Sequence, residues 1–175
     1  MSDQDDKVQW VQVLEPDAAQ RRETFARFGL AMYQAQCVEK QLSILLATTF
    51  NHGFLNLPQE HRDSCFDSEL SKTLGRLIST LREKMEVPPG IDGRLHRALH
   101  LRNWLAHNYF WERAGDIMNR NGRDHMIREL QETADFLSEV DHELTSISKC
   151  WLEKCGASWE MIEAETNKYR SAGDA

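Results

Sequence analysis

The side chains best suited to chemistry in this chain crowd into one stretch, Leu95 to Trp111, reading LHRALHLRNWLAHNYFW. It carries His96, His100 and His107, two arginines, Arg97 and Arg102, and Asn103. Such a set can cleave a phosphodiester without a metal. Histidine moves protons near neutral pH, and a guanidinium holds the charge of a phosphorane-like state through paired hydrogen bonds. In RNA the 2′-hydroxyl supplies the nucleophile. Other chemistries lack their residues. His96 and His100 at i, i+4 could grip one ion. However, Arg97 stands where HExxH carries its glutamate, and no acid shares the stripe. Glu139-x-x-His142 is a single copy where a di-iron bundle needs two. GxGxxG, GxxxxGK[ST] and GxSxG do not occur, and Cys37 and Cys155 have no adjacent histidine. No metal and no cofactor are expected.

The element that must carry these residues is a helix, from about Asp92 to about Arg113. At 100° per residue, Leu95, Ala98, Leu99, Leu105, Ala106, Tyr109 and Phe110 share an apolar face. Arg102 sits in the middle of it, while His96, His100, Asn103 and His107 run along its edge. Charge is normally kept off a buried face, and a broken local rule marks a candidate site. Arg102 and His107 project about 140° apart, so converging on one phosphate takes arginine's reach or a symmetric interface. Spacing alone leaves two readings open: a catalytic pair, or a salt-bridged core arginine with an edge histidine.

A second lone charge breaks the pattern of the first long helix, expected from Pro16–Asp17 to about Phe50. Its stripe runs Phe25, Phe28, Met32, Ala35, Leu42, Leu46 and Phe50, and Glu39 fills the skipped turn. A buried unpaired charge is costly, so Glu39 and Arg102 are expected to meet, either as a structural pair or with Glu39 orienting the arginine. Asn51-His52-Gly53 should cap this helix. Pro58 should open a short helix to about Cys65, followed by a helix from an N-cap at Ser68 to about Met85, with Leu70, Leu74, Leu77, Ile78 and Leu81 buried. Val87-Pro88-Pro89-Gly90 breaks it. Gly115–Gly122 is expected as a flexible, turn-rich connection. A long helix follows from Asp124 to about Cys155, with Ile127, Leu130, Ala134, Leu137, Val140, Leu144, Ile147 and Trp151 on its stripe. Ser158 should start a last helix ending near Tyr169.

No strand alternation and no repeat are visible, which predicts an all-α fold: an antiparallel up-and-down helical bundle of four main helices plus short extra helices. One domain is expected over residues 16–170, with a flexible arm at 1–15 and a disordered tail at 171–175. Of the 175 residues, 41% are hydrophobic and 28% charged, ordinary for a globular chain. No apolar run is long enough to span a bilayer, the start MSDQDDK is no signal peptide, and the four cysteines are scattered. These features point to a cytoplasmic protein with reduced thiols. The net charge of −7 counts against a nonspecific polyanion binder. Its distribution is uneven, because Arg94 to Arg128 nets +4 while Glu129 to the end nets −7.

The segment Arg102-Asn103-Trp104-Leu105-Ala106-His107-Asn108-Tyr109 resembles the signature of the HEPN superfamily. That signature is an arginine followed by a polar residue, with a histidine after four to six intervening residues, extended here to Arg-x4-His-x-Tyr. Ala35-x-x-Val38-Glu39-x-x-Leu42 and Thr73-Leu-Gly-Arg-Leu-Ile78 are similar to the surrounding arrangement, so the likeness spans roughly residues 20 to 150. The resemblance implies a metal-independent endoribonuclease acting on RNA as a homodimer, often a toxin or phage-defence effector. It implies that Arg102 stabilises the scissile phosphate, His107 is the general acid/base and Asn103 orients the phosphate or the imidazole. His96, His100 and Arg97 would line the substrate groove. Tyr109 matches a tyrosine that receives AMP from a nucleotidyltransferase-type antitoxin. The alternative is a non-catalytic HEPN-like module that binds a protein partner or a nucleotide.

Overall fold

Pro16 opens the first long helix with Asp17 in its first turn, where proline loses no needed hydrogen bond and an acid meets the positive end of the helix. In the computed structural model, which describes residues 16–49 and 57–154, this is α1, Pro16–Thr49. It is followed by α2 (Gln59–Leu70), α3 (Leu74–Lys84), α4 (Pro89–His107), α5 (Tyr109–Glu112), a 3-10 turn at Asp116–Met118 and α6 (Arg120–Lys154). Among the described residues every regular element is helical, and no helix is long and apolar enough to cross a membrane. The all-α class is therefore as expected. The arm at 1–15, the Asn51-His52-Gly53 cap, the helix from Ser158 and the tail at 171–175 lie outside the described residues.

The side-chain pairs between helices give their directions. Gln20 meets Asp124, Arg27 meets Gln131 and Gln41 meets Ser148, so α1 and α6 run parallel along most of their lengths. Helix α4 runs against both. Phe25 and Phe28 pack on Phe110 while Glu39 faces Arg102, and Arg94 pairs with Glu139 while Arg113 pairs with Glu129. Helix α3 opposes α4, with Gly75 beside Leu99 and Arg82 bonded to Asp92 at 2.7 Å. Helices consecutive in the chain thus alternate in direction, and the first and last, packed side by side, are parallel, as an odd number of traversals requires.

The extra traversal comes from residues 59–84. The expected helix from Ser68 to Met85 is split: Ser68 lies inside α2, and α3 begins at Leu74. Three interactions hold the break. The Ser71 N–H still donates to Asp67, the carbonyl of Glu69 accepts from Ser43 of α1, and the first amide of α3, Leu74 N–H, donates to the Glu39 carboxylate at 3.2 Å. A side chain from α1 therefore supplies the cap that α3's own Thr73 does not.

The core lies where these helices meet. Ala31, Ala35, Val38, Leu42 and Leu45 of α1 pack with Leu74, Leu77, Ile78 and Leu81 of α3. Leu95, Ala98 and Leu105 of α4 and Met126, Leu130, Ala134, Leu137, Val140 and Leu144 of α6 complete it. Three expected stripe residues are displaced from it, because each helix turns its buried arc toward more than one neighbour. Phe25 is 55% exposed, Trp151 is 37% exposed, and Ala106 faces outward.

Helix α6 starts four residues before the expected Asp124, because the supposed flexible connection is packed. The Asn119 side chain accepts from Gly122 N–H at 2.8 Å and donates to the Gly115 carbonyl at 3.1 Å. A Cβ on Gly122 would overlap the backbone of Asp116, so only glycine lets the 3-10 turn lie this close to α6.

Candidate active site

Helix α4 delivers the motif, and its end decides how. At Asn108 the backbone leaves helical values (φ −122, ψ −24) while its N–H still donates to Trp104 at 2.9 Å and its carbonyl accepts from Glu112 at 2.9 Å. The helix expected to continue through to Arg113 is kinked immediately after His107. Beyond the kink the Tyr109 ring turns inward, edge-on to Trp104 at 4.8 Å and beside Phe28 at 5.7 Å. His107 thus becomes the exposed last residue of α4, and Tyr109 joins the core.

The structure places Arg102 and His107 in different grooves. Arg102 borders a groove of about 500 Å³ with Met32, Tyr33, Gln36, Cys37 and Lys40 of α1. Its Nη2 lies 3.8 Å from Glu39 Oε2, the long end of an ion pair, so the expected meeting of the two lone charges is present. Its Nη1 donates to Asn103 Oδ1 at 3.2 Å. His107, Asn103, His100 and Arg97 border a second groove of about 670 Å³ between α4 and α6. Asn103 is the only motif residue that touches both sides, accepting from Arg102 while lining the groove of His107. The rings of His100 and His107 make no hydrogen bond with the described residues. His96 is exposed and borders neither of these two grooves.

The opposite wall of the larger groove went unread in the sequence. It consists of Glu129, Glu132 and Thr133 of α6; Glu112 of α5 and Trp104 and Leu101 of α4 also line the groove. Two of these acids are already engaged. Arg113 grips Glu129 with two hydrogen bonds, 2.9 and 2.6 Å, and Trp104 Nε1 donates to Glu112 at 2.8 Å. At the far end Arg97 lies over the Phe136 ring, 4.0 Å from its centre, a cation–π contact. The signal was the i, i+3 spacing of Glu129 and Glu132 on the edge of the α6 stripe.

The +4 segment is largely neutralised within the fold. Arg94 pairs with Glu139 and Glu143, Arg102 with Glu39, Arg113 with Glu129, and Arg123 with Asp17. The most deeply buried cation is Arg123 rather than Arg102: it is 1% exposed and bonded to Asp17, Gln20 and the Ile117 carbonyl. Extending the α6 stripe one turn back from Ile127 reaches Arg123, so an earlier helix start would have revealed it.

Tyr109, expected as an acceptor of AMP, is fully buried, its hydroxyl 3.4 Å from the Met126 carbonyl. Burial above all, and then the Glu129 carboxylate, hold this phenol above its ordinary pKa. In this conformation Tyr109 stands in the core, as its place on the apolar face predicts, with its oxygen turned away from solvent. Among the described residues no three histidine, cysteine or acidic side chains converge as metal ligands.

No family model, curated protein or solved structure matches the chain.

Proposed function

We propose that this chain is a metal-independent endoribonuclease of HEPN type, working as a cytoplasmic homodimer and serving as a toxin or phage-defence effector. The observation that carries the reading is the order of groups on the last turns of α4. Arg102 is anchored by Glu39 and bonded to Asn103, and Asn103 shares an open groove with His107, whose imidazole has no competing hydrogen bond. His107 takes the proton of the 2′-hydroxyl as that oxygen attacks phosphorus. The bond to the 5′-oxygen breaks and the proton passes to the leaving oxygen, giving a 2′,3′-cyclic phosphate and a 5′-hydroxyl. Arg102 holds the charge on the non-bridging oxygens, and Asn103 orients it. Because Arg102 and His107 face different grooves in one chain, a two-fold partner supplies the missing member of each pair.

The test is cleavage of labelled RNA by the purified protein in excess chelator. The expected result is cleavage that falls by about a hundred-fold or more with His107→Ala and with Arg102→Ala. Equal cleavage by His107→Ala overturns the mechanism.

A second reading, a non-catalytic module binding a protein partner, is favoured by one observation. Trp111 is 86% exposed and Phe25, packed on the neighbouring Phe110, is 55% exposed, apolar surface that RNA cleavage does not use. Undiminished growth on overexpression, with no cleavage in the assay above, selects it.

A further inference from the structure

The groove beside His107 has a wall of a kind that a phosphate-binding cleft avoids. Polyanion sites are lined by donors and cations, yet the α6 side of this groove presents carboxylates. Glu129 is held by Arg113 and Glu112 by the Trp104 indole. Glu132, exposed on the same wall, makes no hydrogen bond or ion pair with the described residues. A lone carboxylate is an acceptor with two oxygens in one plane, so it fits a ligand edge offering two adjacent N–H donors. Leu101 and the Trp104 indole also line the groove; the Arg113 guanidinium lies over the indole, 5.5 Å from its centre, and the rest of this apolar surface offers a planar ring a place to rest. The volume of about 670 Å³ is of the size that holds a nucleoside-sized ligand.

We propose that this groove is a base-recognition pocket in which Glu132 reads the guanine edge of the nucleotide next to the scissile phosphate. Guanine is the standard base whose Watson–Crick edge carries two adjacent donors, N1–H and the 2-amino group. Adenine and cytosine each offer one amino group beside an acceptor, which a carboxylate repels. His107 and Asn103 form the other wall, so a base seated on this surface has its own ribose and phosphate at the reacting groups. The scissile phosphate lies on the His107 side of the groove, across from the acidic wall. This inference rests on the endoribonuclease reading and gives it a substrate preference.

The experiment measures binding of short fluorescent 2′-O-methyl RNA oligonucleotides, which the protein cannot cleave, by anisotropy. One central position is guanine, inosine or adenine in an otherwise uridine strand. The full-length chain is expected to bind the guanine strand roughly ten-fold more tightly than the adenine strand, toward the low end of what a bidentate pair discriminates. Inosine, which lacks the 2-amino group, falls between them. With Glu132→Gln the guanine-to-adenine ratio should collapse to about one, because the amide offers only one acceptor. Removing a negative charge strengthens binding to every strand alike, so the ratio rather than the affinity is the readout. Glu139→Gln, an exposed acid of α6 outside the groove, should keep the ratio. Equal binding of all three strands by the wild-type chain, or an unchanged ratio in Glu132→Gln, overturns the base assignment and leaves the nuclease reading standing. No binding of any strand, with no cleavage of ordinary RNA, overturns both.

Discussion

Glu39 serves two elements through one oxygen. Its Oε2 accepts the first amide of α3 and faces the Arg102 guanidinium. Glutamine at this position keeps an acceptor of the same reach but loses the charge. Glu39→Gln should therefore fold with a stability within about 1 kcal/mol of the parent, while RNA cleavage falls because Arg102 loses its anchor. Glu39→Ala removes the cap as well and should cost about 1–2 kcal/mol by thermal unfolding. An alanine variant as stable as the parent would show that α3 needs no cap from α1. Asp141 gives the residue scale its pH dependence. Burial, its main influence, raises its pKa, with His142 opposing. A carboxyl with a raised folded pKa is one whose ionisation the fold disfavours. Stability therefore falls as pH rises from the unfolded to the folded pKa, and the full penalty is present above both. Asp141→Asn should raise the melting temperature at pH 7, with the gain gone near pH 3. No difference at either pH would remove Asp141 from the account. At this scale Glu39 and Arg102 were legible in the sequence, since a lone charge on an apolar face asks for a partner. The burial of Tyr109 was legible in the same way, from its place on the apolar face, but the kink that turns it inward was not, because Asn108 gives no signal that separates a helix that ends from one that bends.

Element boundaries were legible where the chain itself supplies the stop and obscure where a tertiary partner does. Pro16 and the Val87-Pro88-Pro89-Gly90 break carry their own chemistry, and α1 and α4 begin close to where these residues predict. The α2–α3 break is held by Glu39, 35 positions from Leu74, beyond any local pattern. The start of α6 had a local sign that was misread. Asn119 with Gly122 three residues on reads as a loop, but Asn119 is a cap and Gly122 a close-contact residue. Gly122→Ala separates these views. Alanine favours a helix interior by about 1 kcal/mol over glycine, so a residue in an open helix would gain stability. Here the methyl overlaps the Asp116 backbone, and the fit costs about 1–3 kcal/mol, as overpacking does. A net loss in denaturant unfolding is the expected outcome. A gain would mean that the 3-10 turn yields easily and that Arg123, bonded to its Ile117 carbonyl, does not hold it in place.

At the largest scale, five alternating traversals make α1 and α6 a parallel pair, and none of the other described helices covers the outer side of α4. Gly93, His96, His100, Asn103 and Ala106 all face outward there. Parity was beyond the sequence, because one misplaced break between Ser68 and Leu74 changes the count of traversals and with it the direction of the last helix relative to the first. The uncovered face matters because Arg102 and His107 open on opposite sides of α4. If each active site draws its arginine from one copy and its histidine from the other, two inactive variants can repair each other. A dimer of one Arg102→Ala chain and one His107→Ala chain has one site with both changes and one with neither. Refolding the two variants together should then restore roughly a quarter of the parent activity, since about half the dimers are mixed and each carries one intact site. Each variant refolded alone should remain inactive, and sedimentation should report a dimer throughout. Activity that stays at the level of the single variants after mixing, in a population shown to exchange subunits, would place both residues in the same chain's site. Arginine's reach around α4, rather than symmetry, would then have to bring the guanidinium to the phosphate.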